Sequence, residues 1–382
     1  MRKIKVLEVI DKTFLGGGQK NIISLIENLD KEKFDVSVCS NPGGYLVAEV
    51  IKNNTSHFPV SMSKRMSHKP IEDMRVLLKE NEFDIIHTHG GVAGFYGRWA
   101  ARKFKKLAVV HTLHGLHYLY YRNIFLKYLY IGLEKIFSRF TDVVIFVSRA
   151  DRNKGLKYKL ASKEKIRLIE NGMDFSSFKK GYSQEKYENQ GKRSFVIGTV
   201  ARLHRQKNIS LLLKAGARIK KSYPRMKILV VGDGPLRRKL ENLNKRLGTD
   251  DMIDFLGERK DIPRLISQMD IFVLPSLWEG LPYVLLEAAS LKKPVIGTDV
   301  DGIREMIQNE VTGILVSPKK PDQLAEALMR LLDNRKLGEE LGLRFYRSVK
   351  EKYTISRMIH NIQDLYEALF YRTGELNSGF HE

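Results

Sequence analysis

Twice along this chain, short apolar runs alternate with amphipathic stretches, and that rhythm restricts the fold more than any single residue does. Residues 4–10, 34–40, 83–87, 107–111 and 142–147 read as buried-type strands with helical patterns between them. A second series follows at 195–200, 226–232, 253–256, 271–274, 294–297 and 313–316. Continuously apolar strands separated by helices make parallel sheets covered on both faces, because the crossover between parallel strands is itself a helix. Between the two series, residues 179–194 are polar and charged with no apolar period, the composition of an interdomain linker. A chain of 382 residues also exceeds one core of about 100–200 residues. The expectation is an α/β protein of two Rossmann-like domains with parallel sheets facing each other across a cleft. Residues 354–370 have apolar positions at helical spacing, and the polar residues after Arg372 read as frayed.

Charge narrows the partners. The formal charge is +22, from 66 Lys and Arg against 44 Asp and Glu, which calls for nucleic acid, an anionic membrane face or an anionic substrate. No nucleic-acid-binding motif is present and the cations are spread along the chain, so nucleic acid is not expected. The stretch 117–140 mixes aromatics with Arg122, Lys127, Lys135 and Arg139, and Lys64, Arg65 and Lys69 lie on a neighbouring polar loop. Such a helix can dock at an anionic bilayer, or it can be a core helix with a solvated basic side; the residues leave both readings open. Lys5 and Glu8 interrupt the first apolar run, which rules against a signal peptide, and no window approaches the ~20 apolar residues of a membrane span. Cys39, the single cysteine, falls in an apolar strand and reads as a buried thiol in a reducing cytoplasm. A cytoplasmic protein, soluble or associated with the inner face of a membrane, is expected.

The chemistry concentrates near the C-terminal third. Glu279 and Glu287 bracket a Gly-Pro turn and the start of an apolar helix, just past a strand closed by proline. Carboxylates accept from sugar hydroxyls and orphan helix amides cap an anion, so this is a site for a sugar joined to phosphate. Arg202 and Lys207 follow another strand, offering a planar fork and a mobile point charge to a diphosphate. Gly16-Gly17-Gly18 follows the first strand without the spacing of a dinucleotide fingerprint or the ending of a P-loop. Histidines crowd at His87, His89, His111, His114 and His117; zinc is the alternative there, but no Cys and no H-E-x-x-H accompanies them.

EGLPYVLLE (279–287) together with GGGQK (16–20), HTLHG (111–115), IENGMD (169–174), ARLHRQKN (201–208), GDGP (232–235) and the GI-E of 302–305, in this order, resembles glycosyltransferase family 4, the GT-B glycosyl transferases group 1. The resemblance spans the chain from first strand to last helix. It implies an acceptor domain over 1–180 completed by a crossover helix over 354–372, and a nucleotide-sugar donor domain over 181–353. It also implies a hexosyltransferase of the EC 2.4 type that retains anomeric configuration, working in cell-surface polysaccharide, lipopolysaccharide or glycolipid synthesis. By that resemblance His114 sits beside the reacting sugar, Glu279 nearest the transferred sugar, Arg202 and Lys207 on the donor diphosphate and Glu287 on the ribose. Gly17, Gly18, Gly234, Gly280, Leu281 and Pro282 then present backbone to the donor. His89 and His111 are expected to be structural, and Asp299-Val-Asp301 leads into a turn instead of holding a metal, so no cofactor or obligatory metal is expected. UDP is the expected nucleotide, with GDP next; a lipid-linked or sugar acceptor is the expected partner. Two other readings stay open: an epimerase of similar architecture, which needs a proton-abstracting pair at the sugar, and a non-catalytic lipid- or RNA-binding protein.

Overall fold

The computed structural model describes residues 2–14, 16–62, 67–179 and 195–378; Lys64, Arg65 and nearly all of the polar segment between the two series lie outside them. The chain forms two compact units, Met1–Gly172 together with Ile355–Glu382, and Met173–Thr354.

The first unit is a seven-stranded parallel sheet in the order β3-β2-β1-β4-β5-β6-β7. Its strands are β1 (Ile4–Ile10), β2 (Phe34–Ser40), β3 (Ser56–Pro59), β4 (Ile85–His89), β5 (Ala108–Leu113), β6 (Val143–Phe146) and β7 (Ile166–Leu168). β4 and β5 end two residues later than their apolar runs, because His89 stays in the ladder opposite Thr112. The edge strands β3 and β7 escape the sequence pattern: each is short and borders the sheet on one side only, so neither needs a long apolar run. One face packs on the C-terminal helix Ile355–Ser378, whose Met358, Ile359, Ile362, Tyr366 and Leu369 join Val6, Ile85, Val110 and Ile145 in one core. The other face packs on Lys69–Asn81 and Gly91–Ala101. The C-terminal helix continues to Ser378, past the Arg372 where the polar tail was expected to fray; once nucleated on the core, a helix extends at small cost per residue.

The second unit is a six-stranded parallel sheet in the order β10-β9-β8-β11-β12-β13. Its strands, β8 (Val196–Val200), β9 (Lys227–Val231), β10 (Ile253–Gly257), β11 (Ile271–Leu274), β12 (Val295–Thr298) and β13 (Ile314–Val316), lie close to the apolar runs. Helices Ile209–Ile219 and Pro321–Asp333 bury their leucine faces against it.

In each sheet the order of connection reverses beside the first strand, between β1 and β4 and again between β8 and β11. Loops leaving the carboxyl ends of such a strand pair run apart and open a crevice. The segments that meet those crevices are Gly16–Gly18 and the His89 strand end in the first unit, and residues 202–207 and 275–282 in the second.

Candidate active site

In the second unit the two loops at the switch point are stitched to each other. The Leu277 amide donates to the Gln206 carbonyl at 2.7 Å, and Gln206 Nε2 donates to the Trp278 carbonyl at 2.9 Å. Lys207 closes the 3-10 turn Arg205–Lys207, after which Asn208 takes a left-handed conformation that starts the next helix. This geometry sets Lys207 Nζ 2.5 Å from Glu279 Oε1. Ser276 Oγ donates to the same oxygen at 2.6 Å and Gln206 Nε2 reaches Oε2 at 3.3 Å. Glu279 is thus buried, and its charge is met by one cation and two neutral donors. Lys207 and Glu279, assigned by resemblance to separate parts of a donor, are here one ion pair. Arg202, two residues past β8, is exposed.

Gly280 follows, and its carbonyl rests against Gly302: a Cβ there would fall 1.8 Å from the Gly280 oxygen and 2.7 Å from the Glu279 carbonyl. The GI-E element therefore supports the EGLPY loop from beneath. Leu281 and Pro282 are buried, and Pro282 caps the helix Tyr283–Ser290. Glu287 is buried just past the first turn of that helix, because the loop runs through Pro282 before the helix begins. Gly234 is bare for a structural reason: a Cβ would lie 2.6 Å from the Leu203 carbonyl, where the GDGP loop crosses the loop after β8. Asp299 pairs with Arg304 at 2.6 Å, and Asp301 opens a one-turn helix.

In the first unit a row of polar groups runs through the sheet interior. Glu8 on β1 sits in register with His87 on β4, and Tyr366 reaches over from the C-terminal helix. Glu8 accepts from His89 Nε2 at 2.6 Å and from the Tyr366 hydroxyl at 2.7 Å; Tyr366 also meets His87 Nδ1 at 2.5 Å, whose Nε2 meets the Thr112 hydroxyl at 2.7 Å. His89 Nδ1 lies 2.9 Å from Nε2 of His114, one residue past β5, with the two ring planes within 18° of each other and their centroids 5.2 Å apart. Gly18 closes on the same ring, since a Cβ there would lie 3.4 Å from His114 Cδ2. Gly17 is the first residue of the helix Gly17–Asn28, whose N-cap has no side-chain partner. Gly18, His89 and His114 are thus brought together, whereas His111 points to the other face of the sheet and bonds the Thr88 hydroxyl at 2.8 Å.

Burial would raise the Glu8 carboxyl, but His87 and His89 override it and hold it well below the carboxylate range. Burial drives His89 down to about 4 and His114 well below the ordinary imidazole value, so both rings are neutral at neutral pH. Donor atoms of Glu8, His87 and His89 lie within 4.8 Å of one another, which is why zinc must be weighed. Their spacing is that of hydrogen bonds: 2.6 Å between Glu8 and His89 is well short of the ~3.3 Å between neighbouring ligands of a tetrahedral zinc. Glu8, Tyr366, Gln206 and Ser276 were not singled out from the sequence. A carboxylate inside an apolar central strand was the available signal for Glu8.

Two parallel sheets, each with its motif loops at the switch point and a cation–carboxylate pair in the second, define a glycosyltransferase of the GT-B class. Residues 15–177 match the family described as Glycosyltransferase Family 4, and residues 183–347 match Glycosyl transferases group 1. The chain is 30% identical over 375 residues to an Escherichia coli UDP-Gal:alpha-D-GlcNAc-diphosphoundecaprenol alpha-1,3-galactosyltransferase, covering 95% of this chain and 97% of that one. It is 26% identical to the capsular polysaccharide biosynthesis glycosyltransferase CapM of Staphylococcus aureus, over 89% and 92% of the two chains. In fold it matches Anabaena HepE in complex with UDP-glucose, with a TM-score of 0.84 at 20% identity over 96% and 100% of the chains. The chain belongs to glycosyltransferase family 4.

Proposed function

We propose that this enzyme transfers a hexose from a UDP-sugar to a hydroxyl of a lipid-linked acceptor, with retention of configuration, in the assembly of cell-surface polysaccharide. The observation that carries this reading is the Lys207–Glu279 pair, locked by Ser276 and Gln206 at the switch point of the second sheet. The E. coli relative named for a UDP-galactose donor and a diphosphoundecaprenol acceptor supports the donor and acceptor classes. On donor arrival, Lys207 exchanges Glu279 for the diphosphate, and the released carboxylate accepts from the sugar hydroxyls. Arg202 adds the planar fork. The acceptor oxygen forms its bond to the anomeric carbon on the face from which the phosphate oxygen leaves, and that oxygen takes the acceptor proton. Lys207 and Arg202 neutralise the developing charge, so the reaction needs no metal. Glu287 holds the ribose, while Gly17, Gly280, Leu281 and Pro282 offer backbone to the donor.

Thermal-shift titration with UDP, GDP and ADP, with and without EDTA, tests this. Saturable stabilisation by UDP that survives EDTA is the expected result; a response to another nucleotide alone, or a strict need for metal, overturns the donor clamp. Lys207→Ala is expected to lower kcat by about 10²–10³-fold, the usual loss when one preorganised charge partner of a transition state is removed.

The acceptor reading rests on a second surface. The helix Ile124–Ser138 exposes Ile124, Leu126, Tyr128, Leu129 and Ile136, with Phe125 83% exposed. Its one acid, Glu134, is turned inward onto buried Arg98 by two bonds of 3.0 and 3.1 Å, so the outer face is apolar and cationic only. Lys135, Arg139, Lys159 and Lys163 line a hollow of about 580 Å³ beside its C-terminal end. No described helix is long and apolar enough to cross a membrane. We propose that this face lies in the surface of an anionic bilayer, where its apolar residues enter and its cations meet headgroups. Phe125→Asp should abolish sedimentation with phosphatidylglycerol vesicles while leaving the UDP-induced thermal shift intact; unchanged sedimentation removes the helix from the proposal.

A further inference from the structure

The buried chain Glu8–His89–His114 has a direction. Glu8, ionised, can only accept, so the 2.6 Å contact requires a proton on His89 Nε2. A neutral His89 then has a bare Nδ1, which accepts across 2.9 Å from His114 Nε2. A neutral His114 that donates from Nε2 leaves its own Nδ1 without a proton. That atom is buried and has no hydrogen-bond partner among the described residues. A buried lone pair without a donor is costly, and a ligand that brings an O–H relieves the cost.

Tyr366 fixes the origin of the chain. Burial and the neighbouring Glu8 hold its phenol well above the ordinary value, so it stays a donor and occupies Oε1. Oε2 takes His89 at 2.6 Å, with His87 Nδ1 farther off at 3.3 Å. Gly18 packed against the His114 ring and the in-plane contact to His89 limit how the imidazole can turn.

We propose that Glu8 and His89 are positioning residues that lock His114 in its Nε2–H tautomer, so that Nδ1 is presented as an acceptor to a hydroxyl of the bound sugar. This rests on the reading of His114 as the residue beside the sugar. The consequence is chemical selection: an acceptor lone pair takes a hydroxyl and repels a phosphate oxygen, whereas an N–H at the same place would attract phosphate as well as hydroxyl.

Glu8→Gln is the discriminating variant, because it preserves shape and reverses the chain. With Tyr366 still donating to the amide oxygen, the amide nitrogen donates to His89 Nε2. His89 must then donate from Nδ1, and His114 is left with its proton on Nδ1, facing the sugar. Nitrogen-15 NMR of the histidine side chains reads this directly. The expected result is an Nε2–H His114 in the wild type, an Nδ1–H His114 in Glu8→Gln, and kcat lowered about 10- to 100-fold with little change in donor KM, as befits a donor facing a donor. Tyr366→Phe removes a bond from Glu8 without reversing the chain; it should leave the His114 tautomer as in the wild type and so separates reversal from loss of packing. A wild-type His114 protonated on Nδ1, or a tautomer unmoved by Glu8→Gln, overturns the lock. A reversed tautomer with full activity overturns the positioning role. Absence of any transferase activity in the wild type would instead strike the function proposed above, while the NMR assignment still reads the lock.

Discussion

The two units place their polar machinery on opposite principles. In the first, Glu8, His87, His89 and Tyr366 lie inside the sheet and under a helix, and each is satisfied by another of them. In the second, Lys207, Gln206, Ser276 and Glu279 stand on loops beyond the strand ends, joined around one charge pair. Buried polar networks are strong because any broken bond leaves an unsatisfied group in low dielectric. A loop-borne ion pair can exchange partners at modest cost. One half is built to stay fixed, the other to rearrange.

The largest test of that contrast is in the first unit. Arg98 is 1% exposed and binds Glu134 bidentately. Arg98→Met leaves a buried carboxylate unpaired and is expected to cost about 3–5 kcal/mol, read by urea unfolding, because the surviving charge has no water to turn to. A loss below 1 kcal/mol would mean that this half yields to solvent after all. Acid is next. His89 titrates in the unfolded chain near the ordinary imidazole value and in the folded one at about 4, so its contribution is full above the former and is lost as pH falls toward the latter. About 3 kcal/mol should disappear over that range from His89 alone, with His111 and His114 adding to it in the same direction. Hydrogen exchange should show the strands around Glu8, His87 and His114 opening before β8 and β11; simultaneous opening would erase the distinction. The smallest effect belongs to the second unit: Gly302→Ala sets a Cβ against the Gly280 carbonyl, and about 1–3 kcal/mol is expected as the loop shifts. Since that loop is the one built to move, activity should fall more than stability does.

Legibility in the sequence follows the same divide. The second unit was readable because its strands are mostly apolar and its charged residues stand in motifs at strand ends, as with Arg202, Lys207 and Glu279. The first unit was readable as an alternation, with His114, Gly17 and Gly18 marked by their motifs, but its buried polar network was not. Glu8 served only to argue against a signal peptide, and nothing local links it to Tyr366 at the far end of the chain. The partners of a buried network are chosen by packing, and periodicity reports packing faces without naming who meets across them. Edge strands failed for a simpler reason: Ser56–Pro59 and Ile166–Leu168 are too short to carry a period.

The C-terminal helix lends Tyr366 and four other core side chains to a sheet whose strands were all synthesised before the second unit began. On the ribosome, the first sheet must therefore wait with one face partly uncovered while some two hundred residues emerge and fold. A chain cut short anywhere in the second unit would expose that face, which marks it for chaperones and proteases before it can compete for substrate. The order of translation thus becomes a check that no half-built transferase persists in the cell.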